Sequence, residues 1–267
     1  MFDFEPIKKR LNNNHIKVFK KKQKSDIIDE NFKPRITFFT GSGISAESGI
    51  QTFRGNGGRW NNYNVSEICS KNALKNNIEK VLGFYNERRF EILSAKPNDA
   101  HYYIKNLEDL FDVSVVTQNV DDLHERAGSK NVIHLHGEIM KSQSKANHKI
   151  THRCLTDINI GDKCPITNSQ LRPHIVLFGE HINNYYEARR ILRESHIIVV
   201  IGTSLQVQPA AGLVLNPLYS KKMFIIDPNI DEVESYNDFS IINDTAVSGL
   251  NSIDDLLKIL SKYVFKL

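Results

Sequence analysis

ITFFTGSG, at residues 36–43, is the stretch that decides the fold: an apolar, β-branched run that ends in a glycine-rich turn. Such a run predicts a buried strand. Three similar runs follow at residues 113–117, 196–201 and 223–226, each nearly continuous in apolar residues. Strands of a parallel sheet that is covered on both faces have this character. The sequence therefore predicts a parallel sheet built from these four runs.

Helical patterns lie between the predicted strands, at residues 78–93 and 184–194. The alternation of strand and helix predicts an α/β fold with a doubly wound, Rossmann-type sheet. Two stretches interrupt it: about 52–108 is rich in helix formers and Asn, and about 137–172 is polar and irregular. A polar stretch of this length within a compact domain is usually a small subdomain. We therefore expect a smaller inserted module made from both stretches.

Length and composition exclude several classes of protein. A chain of 267 residues with 40% hydrophobic residues can bury a substantial core, which excludes wholesale disorder. The longest apolar run, at 197–201, is far short of the roughly 20 residues that a membrane-spanning helix needs. The N-terminus shows no secretory pattern, so we expect a cytoplasmic protein without a membrane partner. Three cysteines cannot form a disulfide framework or a four-cysteine zinc site.

The positive charge of the chain is concentrated at its N-terminus. Residues 1–35 hold eight Lys and two Arg against five acidic residues, while the whole chain carries +4, so the remainder is slightly acidic. We interpret 1–32 as a basic N-terminal extension and 33–267 as one globular domain. Its lysines could neutralise the phosphates of nucleic acid or of anionic lipid, but a solvated terminus is the favoured interpretation. Nucleic acid, if it binds at all, is expected only at this arm.

The turn after the first predicted strand offers backbone amides of the kind that bind a phosphate or pyrophosphate. A GxG turn alone is weak evidence, because ordinary turns contain it too. Here the string continues as GSGISAESGIQTFRG over residues 41–55. This longer string resembles the nucleotide-binding signature of the sirtuins, the NAD-dependent protein-lysine deacylases.

Four further strings match sirtuin signatures in the same order along the chain. They are TQNVDDLHERAG at 117–128, HLHG at 134–137, RPHIVLFGE at 172–180 and GTSLQVQPA at 202–210. The resemblance implies a Rossmann-type domain with a smaller module, NAD as the cofactor, and acyl-lysine proteins or peptides as substrates. It also implies nicotinamide and O-acyl-ADP-ribose as products.

The cofactor residues are carried over from the resemblance and agree with the local sequence. Gln118, Asn119 and Asp121 follow a predicted strand, at the edge where open parallel sheets bind ligands; a capped helix start would also explain Asn119 or Asp121, and the two roles do not compete. The small residues at 202–204 allow close backbone approach to a ligand. The full set implied is Gly41, Ser42, Gly43, Ser45, Phe53, Arg54, Gln118, Asn119, Asp121, Gly202, Thr203, Ser204, Asn229 and Ala246.

His136 is the candidate general base, because an imidazole accepts a proton near neutral pH. The resemblance assigns it the ribose hydroxyls of NAD, with Asn119 as the second catalytic residue. His134 and His136 share one face of an extended segment, so a metal-binding pair is an alternative. No third ligand lies nearby in the sequence.

Substrate contacts are also implied by the resemblance. The edge to which a substrate peptide would add as an extra strand consists of Val176, Phe178, Gly179 and Glu180. Tyr85 and Arg88 are three residues apart on a predicted helix, and together they could bind a carboxylate through charge-assisted hydrogen bonds. This Tyr-x-x-Arg pattern resembles the sirtuins that remove succinyl and malonyl groups; an ordinary surface helix is the alternative. Cys69 occupies a position that is usually small in that class, which would narrow the pocket.

Sirtuins commonly hold a structural zinc with two Cys-x-x-Cys pairs, and here the pattern fails. The first pair is expected at 140–144, which lacks cysteine, and the second at 164–167, which has one. A mixed site from His148, His152, Cys154 and Cys164 has irregular spacing. A zinc-free module, held by its own packing, is therefore favoured. Ser42 in place of the usual alanine and Asn183 in place of a common proline are smaller departures.

Three functions remain open from the sequence. The first is a deacylase of protein lysines with a preference for acidic acyl groups, which the peptide edge at 176–180 favours. The second is an NAD glycohydrolase or ADP-ribosyltransferase. The third is a non-catalytic NAD-binding module, against which the presence of His136, Asn119 and Asp121 argues.

Overall fold

The computed structural model describes residues 33–53, 65–215, 222–230 and 239–263. The predicted N-terminal extension and the predicted cofactor residue Arg54 lie outside these ranges. Among the helices within them, none combines the length and apolarity that crossing a bilayer requires.

The described residues contain nine strands and seven α-helices, with short 3-10 helices between some of them. The strands are β1 (Arg35–Thr40), β2 (Asp112–Thr117), β3 (Val132–His134), β4 (Gly137–Ser144), β5 (Thr151–Arg153), β6 (Leu171–Ile175), β7 (Ile197–Ile201), β8 (Lys222–Ile226) and β9 (Phe239–Ile242). The helices are α1 (Val65–Ile68), α2 (Lys71–Asn76), α3 (Ile78–Ser94), α4 (Asp99–Asn106), α5 (Leu123–Ala127), α6 (Tyr185–Glu194) and α7 (Ala246–Tyr263).

Six of the strands form one parallel sheet in the order β3-β2-β1-β7-β8-β9. The chain builds outward from β1 to β3 and then returns to the other side of β1 with β7. This reversal is the switch point at which doubly wound sheets bind ligands. The predicted Rossmann-type fold and its four strands are confirmed. The short edge strands β3 and β9 were not predicted.

Helices cover both faces of the large sheet. Successive side chains of a strand point to opposite faces, so Ile36 and Phe38 of β1 are buried with α4 and α7, while Phe39 is buried with α6 on the other face. All five residues of β7, in the middle of the sheet, are buried. This two-sided burial explains the continuous apolar runs in the sequence.

The small module combines α1, α2 and α3 with a three-stranded antiparallel sheet in the order β5-β4-β6. Ile68, Leu74 and Phe84 of the helices are buried in one cluster with Ile139 and Ile175 of the strands. The module thus draws on both interrupting stretches of the sequence.

The helices of the small module end earlier than the boundary near residue 108 that the sequence predicts. Helix α4 falls within the stretch 52–108, yet Ala100 and Ile104 are buried in the same cluster as Val115 of the large sheet. The apolar side of α4 therefore covers the large sheet, and the helices that pack on the small sheet end with α3 at Ser94.

Candidate active site

A cleft of about 460 Å³ opens at the carboxyl ends of the parallel strands. It is lined by Ser42 and Gly43 after β1, by Gln118 after β2, by residues 202–204 after β7 and by residues 227–229 after β8. Side chains of the small module close its other side. The cleft thus lies where the topology of the sheet predicts a ligand site.

Most of the predicted site residues line this one cleft. They are Ser42, Gly43, Phe53, Tyr85, Arg88, Gln118, Asn119, His136, Val176, Phe178, Gly179, Glu180, Gly202, Thr203, Ser204, Asn229 and Ala246. Three predicted cofactor residues do not line it: Gly41, Ser45 and Asp121.

The glycines after β1 allow the loop after β1 to pack closely against the loop after β7. The Gly41 and Gly43 amides donate to the carbonyls of Ile201 and Gly202, each over 2.9 Å. A Cβ atom on Gly43 would lie 2.5 Å from Gly202 Cα, so a larger residue does not fit. A 3-10 helix, Ser42–Ser48, follows the turn. The amides of Gly41 and Gly43 are thus used within the protein, and the cofactor role of the two glycines stays a prediction.

Ser45 and Asp121 lie directly behind Asn119. Asn119 Nδ2 donates to Ser45 Oγ over 3.1 Å, and Ser45 Oγ donates to Asp121 Oδ2 over 3.1 Å. Leu123 N donates to the other Asp121 oxygen. Burial raises the pKa of Asp121, although these hydrogen bonds oppose the effect. Both residues therefore orient the Asn119 side chain, and their contact with the cofactor stays a prediction.

His136 has the geometry of a neutral base. Its Nδ1 lies 3.0 Å from the Gln118 carbonyl, which can only accept, so Nδ1 carries the proton and Nε2 is left with a lone pair. Burial lowers the pKa of His136, although the bond to Gln118 opposes the effect. The ring is therefore neutral at neutral pH and able to accept a proton in the cleft.

His134 does not form a metal pair with His136. Its Nδ1 bonds to the Asn119 carbonyl over 2.8 Å and its Nε2 to Glu125 Oε1 over 2.7 Å. Both ring nitrogens are occupied, so neither is available to a metal. The alternative of a histidine metal pair is contradicted.

The cleft fits a dinucleotide. Gln118 Oε1 accepts from Thr203 Oγ1 over 2.7 Å, whereas Gln118 Nε2 is buried and has no hydrogen-bond partner. Buried polar groups are nearly always bonded, so this amide is an unused donor on a cleft-lining residue. Ribose hydroxyls are suitable acceptors, and the small residues Gly202 and Ser204 leave room for close approach.

Tyr85 and Arg88 of α3 are buried in the cleft wall, 6% and 3% exposed. Tyr85 Oη donates to Cys69 Sγ over 3.4 Å. Arg88 bonds to Glu91 Oε2 and to the Gln51 carbonyl, each over 3.1 Å. The alternative of an ordinary surface helix is wrong for these two side chains, since neither faces solvent.

The segment 176–180 lines the cleft next to the loop of His136. Val176 N donates to the His136 carbonyl over 2.9 Å, and Phe178 N donates to the Cys69 carbonyl over 2.8 Å. The Phe178 side chain is 47% exposed. This segment therefore connects the loop of the candidate base with the loop of Cys69.

Glu180 lines the cleft, but its carboxylate is used within the protein. Arg172, 2% exposed, contacts the two oxygens over 2.6 and 2.9 Å, and Leu177 N donates to Oε2 over 2.9 Å. The Glu180 carboxylate therefore fixes the shape of the segment, and its contact with a substrate stays a prediction.

The residues considered for a mixed metal site do not converge. His152 Nε2 lies 3.4 Å from Cys164 Sγ, while Cys154 Sγ donates to the Thr156 carbonyl. Across the part of the chain that the structure describes, no group of three or more His, Cys, Asp or Glu side chains could hold a metal ion.

In the small module, hydroxyl groups form a hydrogen-bonded cluster at the end of β4. Ser144 Oγ lies 2.7 Å from Thr167 Oγ1 and 2.8 Å from Ser169 Oγ, and it accepts from the amides of Ala146 and Asn147. Ser144 is fully buried. These bonds tie the end of β4 to the segment that contains Cys164.

Several cleft residues were not identified from the sequence. They include Ala46, Glu47, Val207, Gln208, Pro209, Asp227 and Thr245. Residues 207–209 lie inside the string GTSLQVQPA, so that signal was present. Ala46 and Glu47 lie inside the string at 41–55, so they too had a signal. The contact of Glu47 had none: its carboxylate accepts from Thr245 Oγ1 and Val247 N at the start of α7, almost 200 residues away in the chain.

The cleft lies at the carboxyl edge of a Rossmann-type sheet and contains a neutral histidine. This arrangement is typical of the class of dinucleotide-binding enzymes. The profile of the Sir2 family matches residues 41–209. The chain belongs to this family.

Curated relatives carry the name NAD-dependent protein deacylase. The Helicobacter pylori protein is 39% identical over 232 residues, covering 86% of this chain and 99% of the relative. The Aggregatibacter actinomycetemcomitans protein is 45% identical over 197 residues, covering 74% and 94%.

Solved structures of the family superpose well on this one. A Sir2 homologue in complex with NAD has a TM-score of 0.74 at 36% identity, covering 87% of this chain and 91% of that one. A Sir2 protein bound to acetylated peptide has a TM-score of 0.71 at 29% identity, covering 86% and 95%.

Proposed function

We propose that this Sir2-family enzyme, an NAD-dependent protein-lysine deacylase, prefers acyl groups that end in a carboxylate, such as succinyl and malonyl. The observation that carries the proposal is the burial of Tyr85 and Arg88 side by side in the cleft wall. Acetyl groups remain substrates, because the rest of the cleft does not depend on the carboxylate.

A buried guanidinium favours an anionic ligand more strongly than an exposed one. Arg88 is 3% exposed, and the carboxylate beside it, Glu91, is 41% exposed, so water weakens that ion pair. A substrate carboxylate in the cleft would be desolvated and would receive charge-assisted hydrogen bonds. The Phe53 ring, 5.3 Å from the guanidinium, supports the cation on its face.

Tyr85 has a hydroxyl that a carboxylate could recruit. In this structure Tyr85 Oη donates to the Cys69 thiol, and sulfur is a weak acceptor. A carboxylate oxygen is a much stronger acceptor, so turning the hydroxyl to the substrate is favourable. Burial raises the pKa of Tyr85 further, so the phenol keeps the proton that it donates.

The remaining site residues support transfer of the acyl group to NAD. NAD, when bound, would supply the ADP-ribose that accepts the acyl group; nicotinamide would leave, and one water would be consumed in releasing the free lysine amine. His136 Nε2 takes the proton of a ribose hydroxyl, and Asn119, held by Ser45, orients the ribose. Gln118 Nε2 and residues 202–204 would hold the cofactor, and Asn229 and Ala246 would hold its adenosine half.

Acyl-lysine peptides or proteins are the proposed partners. Their proposed docking segment is 176–179, with the exposed Phe178 ring and the main chain of Gly179 as its contacts, since the amides of residues 176–178 are bonded within the protein. The Sir2 structure with bound acetylated peptide supports this choice. A solvated N-terminal extension, to which any nucleic-acid contact would be confined, a cytoplasmic location and a zinc-free module stay predictions from the sequence.

Mass spectrometry of matched succinyl-lysine and acetyl-lysine peptides tests the proposal. We expect kcat/KM to be higher for the succinyl peptide, with O-succinyl-ADP-ribose formed. Arg88→Met should lower the succinyl-to-acetyl ratio about 10- to 100-fold, since hydrogen bonds to charged groups contribute about 1.5–3 kcal/mol. Tyr85→Phe should lower it less.

Arg190→Met is the matched control, because Arg190 is exposed on α6, away from the cleft. It should leave the ratio unchanged. Equal loss of both activities in Arg88→Met, or a native enzyme without preference, would contradict the acidic-acyl proposal. Deacylation of either peptide would still identify a deacylase.

A further inference from the structure

We propose that His134 is a positioning residue for this reaction: as an imidazolium bonded to Glu125, it fixes the main-chain carbonyl of Asn119 and so places the Asn119 side chain in the cleft. This inference rests on the proposed role of Asn119. It does not depend on which acyl group is preferred.

The protonation state follows from the hydrogen-bond partners of the ring. The Asn119 carbonyl oxygen lies 2.8 Å from Nδ1, and Glu125 Oε1 lies 2.7 Å from Nε2. A carbonyl and an ionised carboxylate can only accept. Both ring nitrogens must therefore carry a proton, which makes His134 a cation. His136, two residues later, needs only one ring proton, on the Nδ1 atom that bonds to the Gln118 carbonyl.

The surroundings of His134 favour this charge. Glu125, Glu138 and Asp121 act as nearby negative charges. Burial lowers the pKa of His134, but the hydrogen bond and charge of Glu125 outweigh it, so the pKa is raised overall.

Two other histidines, His124 and His174, also face His134. Burial lowers the pKa of both, and they are neutral when His134 is charged. Neither therefore opposes the imidazolium at neutral pH.

The two histidines of HLHG hold consecutive carbonyls of the loop after β2. His136 binds the carbonyl of Gln118, and His134 binds that of Asn119. Asn119 is also held at its amide by Thr117 Oγ1 and at its side chain by Ser45. His134 is thus the contact that fixes the carbonyl end of Asn119 against β3.

The charge makes this contact dependent on pH. The pKa of His134 is raised in the folded protein, so the imidazolium keeps both bonds below that pKa and loses one as pH rises through it. The remaining proton stays on Nε2, because the Glu125 carboxylate is a stronger acceptor than the Asn119 carbonyl, and the bond to Asn119 is the one lost. The carboxylate of Glu125, whose pKa is lowered by His134 although burial opposes it, stays ionised through this range. The affinity for NAD should therefore fall on the alkaline side.

Nitrogen-15 NMR of the histidine-labelled enzyme tests the charge directly. We expect both ring nitrogens of His134 to be protonated at neutral pH and those of His136 to carry one proton between them. A single proton on His134 at neutral pH would overturn the inference, whatever the kinetics show.

Kinetics with an acetyl-lysine peptide test the positioning role. His134→Phe should raise KM for NAD about tenfold, the effect of one hydrogen bond, with KM for the peptide unchanged. His134→Asn should partly restore it, because its amide can donate to the Asn119 carbonyl. Glu125→Gln should move the alkaline limb of kcat/KM for NAD to lower pH by about one unit.

Glu138→Gln is the control, because Glu138 bonds to Lys141 and not to His134. Glu138→Gln also removes one negative charge near His134, but it should shift the alkaline limb much less than Glu125→Gln does. Equal rises of KM for NAD and for peptide in His134→Phe, or equal shifts in Glu125→Gln and Glu138→Gln, would contradict the proposal. If the enzyme deacylates neither peptide, the proposed function fails and the NMR result still stands on its own.

Discussion

The Tyr85 hydroxyl donates to the Cys69 thiol across the wall of the cleft, over 3.4 Å. Cys69 also accepts a main-chain hydrogen bond from Phe178, so it joins the acyl end of the cleft to the proposed peptide edge. Burial raises the pKa of Cys69 to about 11, although the bond from Tyr85 opposes the effect. The sulfur is therefore an uncharged thiol at neutral pH and does not repel a substrate carboxylate.

Cys69→Ala should widen the acyl end of the cleft. We expect kcat/KM for a glutaryl peptide to rise several-fold relative to a malonyl peptide, because removal of the sulfur leaves space that a longer acyl chain can fill. Competition assays with both peptides measure the ratio. Cys154→Ala, far from the cleft in the small module, is the control. An unchanged ratio would show that Cys69 does not limit acyl length.

His136→Asn should abolish most deacylation, since a positioned general base contributes about 10²- to 10⁴-fold. His148→Ala removes an exposed histidine outside the cleft and should have no effect. Because the pKa of His136 is lowered, the neutral base persists below the usual histidine range. The acid limb of the native kcat/KM profile should therefore lie at a pH below the usual pKa of histidine. Full activity of His136→Asn would show that this residue is not the general base.

Glu180→Gln should weaken both stability and peptide binding. We expect a loss of about 1–3 kcal/mol of unfolding free energy, because buried Arg172 loses its ionic partner. KM for the peptide should rise while KM for NAD stays constant. Denaturant unfolding and steady-state kinetics measure these effects.

The stability effect of Glu180 has a defined pH dependence. Arg172 and Leu177 N hold the pKa of Glu180 below its usual value, although burial alone would raise it. A carboxylate with a lowered pKa stabilises the fold at neutral pH and loses this effect as pH falls through that pKa. The stability difference between native protein and Glu180→Gln should therefore shrink in acid; a constant difference would contradict the ion pair.

Chelation should leave the unfolding midpoint unchanged, whereas Ser144→Ala should lower it. Ser144 is buried and bonds to Thr167 and Ser169, and its loss leaves two hydroxyls and two amides with fewer partners, at about 1–3 kcal/mol. Thermal unfolding with and without EDTA tests both statements. Ser252→Ala, on the exposed side of α7, is the control. A large fall of the midpoint with EDTA alone would reveal a structural metal.

The sequence predicted the strands that are buried on both faces, because a continuous apolar run is a local signal. It did not predict β3, which has three residues, or β9, whose pairing with β8 depends on a distant part of the chain. Residues of the loops after the strands were placed in the cleft correctly, since parallel strands present their carboxyl ends at one edge.

The roles of Ser45, Asp121 and Glu180 could not be predicted, because they depend on contacts between separate elements. Ser45 and Asp121 meet across 76 positions of the chain, and this contact puts them behind Asn119. Glu180 carries the charge expected of a substrate contact, but its carboxylate forms an ion pair with the guanidinium of Arg172 within the protein.

The most direct test of the account is the stoichiometry of NAD consumption by the native enzyme, with and without a succinyl-lysine peptide. We expect one nicotinamide and one O-succinyl-ADP-ribose for each lysine released, and little NAD consumption without peptide. His136→Asn should lose the acyl-transfer product. NAD consumed equally without peptide, with free ADP-ribose as the product, would contradict the account and assign the cleft to an NAD glycohydrolase.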